Sequence, residues 1–224
     1  MSNKAIGRLL IVTGTLLLAA AVSLVVFNKL EDSSAKKAAE KSLVTLKEYI
    51  SSNDQPGMTG ENSQSAVDED GSDGKAPAGE PSDSEPEDTD GDRALEIDGE
   101  FYIGMLTIPK LGLELPVTRD YSEANMGIAP SRWKGTLAGR DLMICGHNYS
   151  GFFLDLDKLG AGDQIIFTNL RGRQFFFTVG WTEIVSGWDT SAMLSGSDSW
   201  DLTVFTCTWS GWSRVTVRAV RDKT

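Results

Sequence analysis

The chain has 224 residues, two cysteines, one histidine, six tryptophans and a formal net charge of −11. The charge is unevenly placed: residues 1–51 carry a net +3, residues 52–99 a net −13 and residues 100–224 a net −1. The acidity therefore belongs to one segment, which argues against nucleic acid as a partner, and the remaining C-terminal stretch is long enough to bury one core.

Leu9 to Phe27 is free of charge and rich in Leu, Val and Ala. At about 1.5 Å per residue it spans roughly 28 Å, close to the hydrocarbon thickness of a bilayer. Ala19-Ala20-Ala21 lies inside the run and no Ala-x-Ala site closes it, so residues 1–30 read as a retained signal anchor, a single-pass transmembrane helix. Lys4 and Arg8 place its N-terminus in the cytoplasm and the rest of the chain outside, although Lys29, Lys36, Lys37 and Lys41 beyond the helix weaken that count.

Residues 31–51 form a juxtamembrane helix. Ala39, Leu43, Leu46, Tyr49 and Ile50 recur at spacings of three and four, with Lys36, Lys37, Lys41 and Lys47 elsewhere. The expected role is a stub that carries the membrane helix outward; a membrane-surface or self-pairing helix is the alternative.

Residues 52–94 are Ser, Gly, Asp, Glu and Pro with almost no large apolar side chain, and read as a disordered acidic linker acting as an extended tether. Two acidic runs, at 68–73 and 88–92, lack the twelve-residue ligand pattern of a calcium loop. Since residues 1–92 offer the rest no core, a chain beginning at Arg93 is expected to fold by itself.

Residues 95–224 are mostly β. Strands are predicted at 102–108, 113–117, 141–145, 164–168, 174–185, 202–207 and 214–220, with short helices at 122–126 and 152–159. Many short strands with Gly- and Asp-rich breaks suggest a closed or sandwiched antiparallel sheet. No internal repeat is present, and no metal or cofactor is called for.

Cys207 ends the run Leu-Thr-Val-Phe-Thr-Cys, and His147, the one histidine, ends Leu-Met-Ile-Cys-Gly-His. Either residue alone is more often structural: a strand cysteine is usually a small buried hydrophobe, and a lone histidine a hydrogen-bonded core group. Together they supply a nucleophile and a base at two strand ends. Arg214, after the turn Thr-Trp-Ser-Gly-Trp-Ser, adds a permanent cation; Arg218 shares its face by strand alternation and competes for that role. Cys145 lies two residues before His147, on the same face of a strand.

The order His147, Cys207, Arg214 on a β-rich chain, with Gly-His-Asn at one strand end, Thr-Cys at another and Arg-Val-Thr-Val-Arg after the turn, resembles the sortases, the cysteine transpeptidases of Gram-positive cell surfaces. The resemblance covers residues 101–224. It implies a closed eight-stranded β-barrel with a few short helices. It implies that Cys207 forms an acyl-enzyme, that His147 handles the proton and that Arg214 steadies the oxyanion, since the family's arginine opens the last strand. The substrates implied are secreted proteins with a C-terminal sorting signal, and the acceptor is a peptidoglycan-precursor amine. The expected class lies outside the pilin-polymerising enzymes, class D-like or class B-like. Cys145, Thr206, Trp209 and Trp212 are the candidate substrate-groove residues. The competing readings are a surface cysteine peptidase that only hydrolyses, and a non-catalytic β-domain held by a Cys145–Cys207 disulfide.

Overall fold

The computed structural model describes residues 3–53, 93–194 and 199–223. The acidic linker, apart from its two ends, lies outside the described residues. Helix α1 runs from Asn3 to Asn53 without a break at the division expected near residue 30. The side chains from Leu10 to Glu31 are exposed along its first part. Its second part packs on the β-domain. Ala35, Ala39, Ser42 and Leu46 are buried on one helical face at spacings of three and four. The small Ala35 and Ala39 let the helix axis approach closely and join the main core, while Leu46 packs with Ile97, Tyr102, Met105, Ala129 and Leu170. Tyr102 Oη donates to Ser42 Oγ at 2.9 Å, and Lys41 Nζ meets Asp98 at 2.8 Å.

The strands are β1 (Leu95–Ile97), β2 (Glu100–Ile108), β3 (Leu113–Thr118), β4 (Ser131–Lys134), β5 (Leu142–Gly146), β6 (Gln164–Asn169), β7 (Gln174–Ser186), β8 (Leu202–Cys207) and β9 (Ser213–Arg221). The hydrogen-bonded order is β1-β2-β3-β4-β5-β8-β9-β7-β6, and β6 pairs back onto β2. The ring from β2 to β6 is therefore a closed barrel of eight strands, with β1 added outside it, and closure leaves no long free edge. Gly104 sits at the bulge where β2 turns from β1 to β6; its φ is +153°, and a Cβ there would lie 2.3 Å from the Thr168 carbonyl oxygen. Alternation sends Leu106, Ile144, Phe167, Phe177, Val204 and Val217 to the interior core.

The barrel is mixed, contrary to the antiparallel expectation. β3 pairs parallel with β4, and β5 pairs parallel with β8 from Leu142↔Leu202 to Gly146↔Thr206. Three elements escaped the sequence pattern: β1, β4 and helix α3 (Thr190–Leu194). Helix α2 (Glu123–Met126) appears where expected, with Ser122 Oγ accepting from the Asn125 N–H at its start. The helix expected at 152–159 is instead a series of turns ending in one 3-10 turn at Leu156–Lys158. Phe152, Phe153, Leu156 and Leu159 are all buried there, and their shared pull into the core overrides the helical period.

The expectation that residues 1–92 add nothing to the core does not hold, because α1 covers one side of the barrel. A fragment 93–224 should be less stable than a fragment 32–224. Burial of Leu46 alone contributes about 1.5–3 kcal/mol, so the melting temperature should fall by roughly 5 °C or more. Equal melting temperatures in calorimetry would show that the helix contact adds nothing.

Candidate active site

Parallel pairing of β5 with β8 brings two distant strand ends together. Gly146 lies opposite Thr206, so His147 and Cys207 follow at the same level of the sheet. On the other side of β8, Cys207 lies directly opposite Arg214 at the start of β9, where facing side chains stand about 5 Å apart. Residues 145, 147, 205, 207 and 214 face outward, opposite to Ile144, Val204 and Val215 in the core. The result is a surface cleft of about 290 Å³ lined by His147, Cys207 and Arg214, with Cys145 and Phe205 beneath. Tyr121, Glu123 and Met126 wall it on one side, Thr190 and Met193 on the other.

The neighbourhood of His147 is tightly built. A Cβ at Gly146 would lie 2.8 Å from the Phe153 ring, so the preceding position has room for glycine alone. The imidazole stacks on Tyr149 with centroids 4.7 Å apart, and the His147 carbonyl accepts from the Phe153 N–H at 3.2 Å. Helix α1 reaches the same loop. Asp32 accepts from both the N–H and the hydroxyl of Ser150, at 3.1 and 2.7 Å. A Cβ at Gly151 would meet the Lys36 stem at 3.0 Å.

The two candidate arginines have different surroundings. Arg218 is 2% exposed and saturated: it donates to Glu183, Thr203 Oγ1 and the carbonyls of Ala192 and Met193. Those two carbonyls belong to α3, so Arg218 ties one wall of the cleft to the barrel. Arg214 Nη1 donates to the carbonyls of Gly211 and Ser213, at 3.0 and 3.2 Å, and has no carboxylate partner among the described residues. Its guanidinium thus keeps donors for an anion in the cleft.

Among the groove candidates, Cys145 is brought to the floor, where burial pushes its thiol up to about 12. It donates weakly to the Ser131 carbonyl at 3.5 Å. Both cysteines are free thiols, so the disulfide considered from the sequence is not formed. Thr206 is on the inward face: its hydroxyl donates to the Gly146 carbonyl at 2.8 Å, tying β8 to β5, and the residue also borders the cleft. Trp209 and Trp212 are highly exposed and lie outside the cleft lining. The wall residues escaped the sequence reading. Tyr121, Glu123 and Met126 lay on or beside a predicted helix with nothing to direct it here, and α3 is too short to carry a period.

A sortase-domain family model matches residues 106–222, just over half of the chain, and the chain belongs to the sortase family. It is an enzyme, a sortase-type cysteine transpeptidase. Among solved structures, it is similar to the Clostridium perfringens sortase D5 transpeptidase, with 24% identity over 55% of this chain and 79% of that one and a TM-score of 0.48. It is also similar to a Clostridium perfringens sortase C determined with the C-terminal cell wall sorting motif, at 24% identity over 55% and 71% with a TM-score of 0.49. Sortase A from Corynebacterium diphtheriae aligns at 21% identity over 56% and 62%, with a TM-score of 0.47. No curated protein matches the chain by sequence.

Two outcomes are expected from these surroundings. Alkylation of the folded protein at neutral pH should mark Cys207 and spare Cys145, whose thiol stays protonated; unfolding should expose both, as peptide mass mapping would show. The folded state also holds the Cys145 proton more tightly than the unfolded chain. That contribution to stability is complete below the ordinary thiol value of 9.0 and is lost as pH rises from there towards about 12. Cys145→Ala should flatten this part of the stability curve, and an unchanged slope in denaturant titrations would contradict the burial argument. Separately, Arg218→Ala should destabilise the fold by about 1–3 kcal/mol for each α3 carbonyl left without a donor, whereas Arg214→Ala should leave the melting temperature nearly unchanged.

Proposed function

We propose that this sortase cleaves a sorting motif near the C-terminus of secreted proteins and transfers them to a cell-wall amine, with Cys207, His147 and Arg214 as its catalytic residues. The observation that carries the reading is the convergence of these three side chains on one cleft, with Cys207 and Arg214 paired across two strands. The Cys207 thiolate attacks the carbonyl carbon of the scissile peptide bond. Arg214 donates to the oxygen as it becomes negative. His147, as imidazolium, gives a proton to the departing amine as the C–N bond breaks, leaving a thioester on Cys207. An incoming amine then attacks the thioester, His147 takes its proton, and the thiolate leaves. Phe205 and Cys145 give the cleft an apolar floor suited to the side chains of an extended peptide.

The N-terminal helix supports a membrane-bound enzyme. Among the described residues, α1 is the one helix long and apolar enough to cross a membrane, and its apolar window is wholly unburied by protein. In the proposed arrangement the chain spans once, with the barrel outside the cell among its substrates and the peptidoglycan-precursor amine.

The direct test is intact mass after mixing with a panel of sorting peptides. A thioester adduct is expected on the wild type and absent from Cys207→Ala. His147→Ala and Arg214→Ala should each slow turnover by roughly a hundredfold or more. Near-normal turnover in Arg214→Ala would remove that residue from the reaction. An added amine should divert the acyl group into a transpeptidation product; release of free acid alone, whatever the amine, would make the protein a hydrolase.

A further inference from the structure

The chain from Cys207 leads directly to an exposed aromatic loop. Trp209, Trp212 and, from the end of β7, Trp188 are 87%, 67% and 81% exposed, and the Trp188 and Trp212 rings lie 6.4 Å apart. Large aromatic side chains exposed together form a surface suited to an apolar or amphipathic partner. The helix identifies it. Trp209 shares a groove of about 500 Å³ with Val25, Asn28, Lys29 and Asp32 of α1. Val25 lies within the apolar run, which ends at Phe27, and Asn28 and Lys29 are the first residues beyond it. Trp209 therefore sits beside the helix at the level where a bilayer's hydrocarbon gives way to its headgroups. That is the depth at which tryptophan is enriched, because its ring body is apolar and its indole N–H needs a polar partner.

We propose that the β8–β9 loop of the barrel rests on the phospholipid surface beside the emerging helix, with Trp209 inserted among the headgroups, so that the active-site cleft opens at the membrane plane. The docking of α1 fixes this height. Ala35, the first buried residue of the helix, follows Phe27 by eight residues, about 12 Å of helical rise, so the barrel has no spacer to lift it away. Asp32, held by Ser150, locks the helix to the loop beside Trp209. Cys207 is two residues from Trp209, at most about 7 Å of chain. The docking rests on the proposed membrane anchoring.

All six tryptophans lie in the β-domain and none in the apolar helix, so lipid quenching of tryptophan emission reports the barrel alone. The full chain is reconstituted in phosphatidylcholine/phosphatidylglycerol vesicles, with and without lipids brominated near the top of the acyl chain. The brominated lipid should quench the wild type, and Trp209→Phe should lose the larger part of the quenched emission. Trp200→Phe, whose ring packs on Trp181 at 4.2 Å, should keep it. If the chain does not float with the vesicles, the anchoring is wrong and the proposal falls with it. If it floats but wild type and Trp209→Phe are quenched alike, or not at all, the anchoring stands and the docking is refuted. A Trp209 blue shift without bromine quenching would assign the loop to a protein surface and equally overturn the proposal.

Discussion

The site depends on one pairing, the parallel register of β5 with β8. Both strands run in the same direction and end at the same level, so the residues that follow them emerge side by side. A slip of one residue would turn Cys207 into the barrel core and bring Thr206 to the surface. Two contacts resist such a slip. Thr206 donates from inside the barrel to the Gly146 carbonyl, and the missing side chain at Gly146 lets Phe153 press against the backbone just before His147. Closure of the ring through β6 and β2 then fixes β9 beside β8, and with it Arg214 opposite Cys207. Residues far apart in the chain are placed by backbone pairing, with little reliance on side-chain contacts among themselves.

The three candidate site residues, His147, Cys207 and Arg214, stood out in the sequence because they end or begin runs with strong strand character. Most strand positions followed from the same alternation. The direction of pairing was not legible: nothing in Leu-Met-Ile-Cys-Gly states that its neighbour lies sixty residues on and runs parallel. β4, with Arg132 and Lys134 among its four residues, has a composition close to that of a loop, and the barrel wall alone defines it. α3 spans five residues and is held by Asp189 at one end and by Arg218 at the other, so its existence is a tertiary fact.

The N-terminal helix shows a subtler gap between pattern and structure. Its apolar stripe from Ala39 to Ile50 was visible, but a periodic stripe does not name its partner. The partner is the barrel itself, through the cluster of Leu46, Ile97, Tyr102 and Met105. This changes the meaning of the acidic segment. It leaves α1 at Asn53 and returns at β1, and both of those elements pack into the same cluster. It connects two pieces of one folded body, so its length does not set the distance from the apolar run of α1 to the barrel. The docked helix does.

Two pairs of like residues show how environment separates chemistry from structure on one face of a sheet. Cys145 and Cys207 face the same way on adjacent strands, but Cys145 is packed among Met126, Met193 and Phe205, and burial keeps it a thiol. Cys207, at the strand end, is half-buried and open to the cleft. Arg218 and Arg214 are two strand repeats apart, yet α3 covers the first and leaves the second at the rim. The covering helix and the exposed end of the barrel thus act as one device. What lies beneath α3 maintains the wall, and what lies beyond its edge is available to a substrate. Residue type is the same within each pair, so the difference in role belongs to the position's access to the cleft.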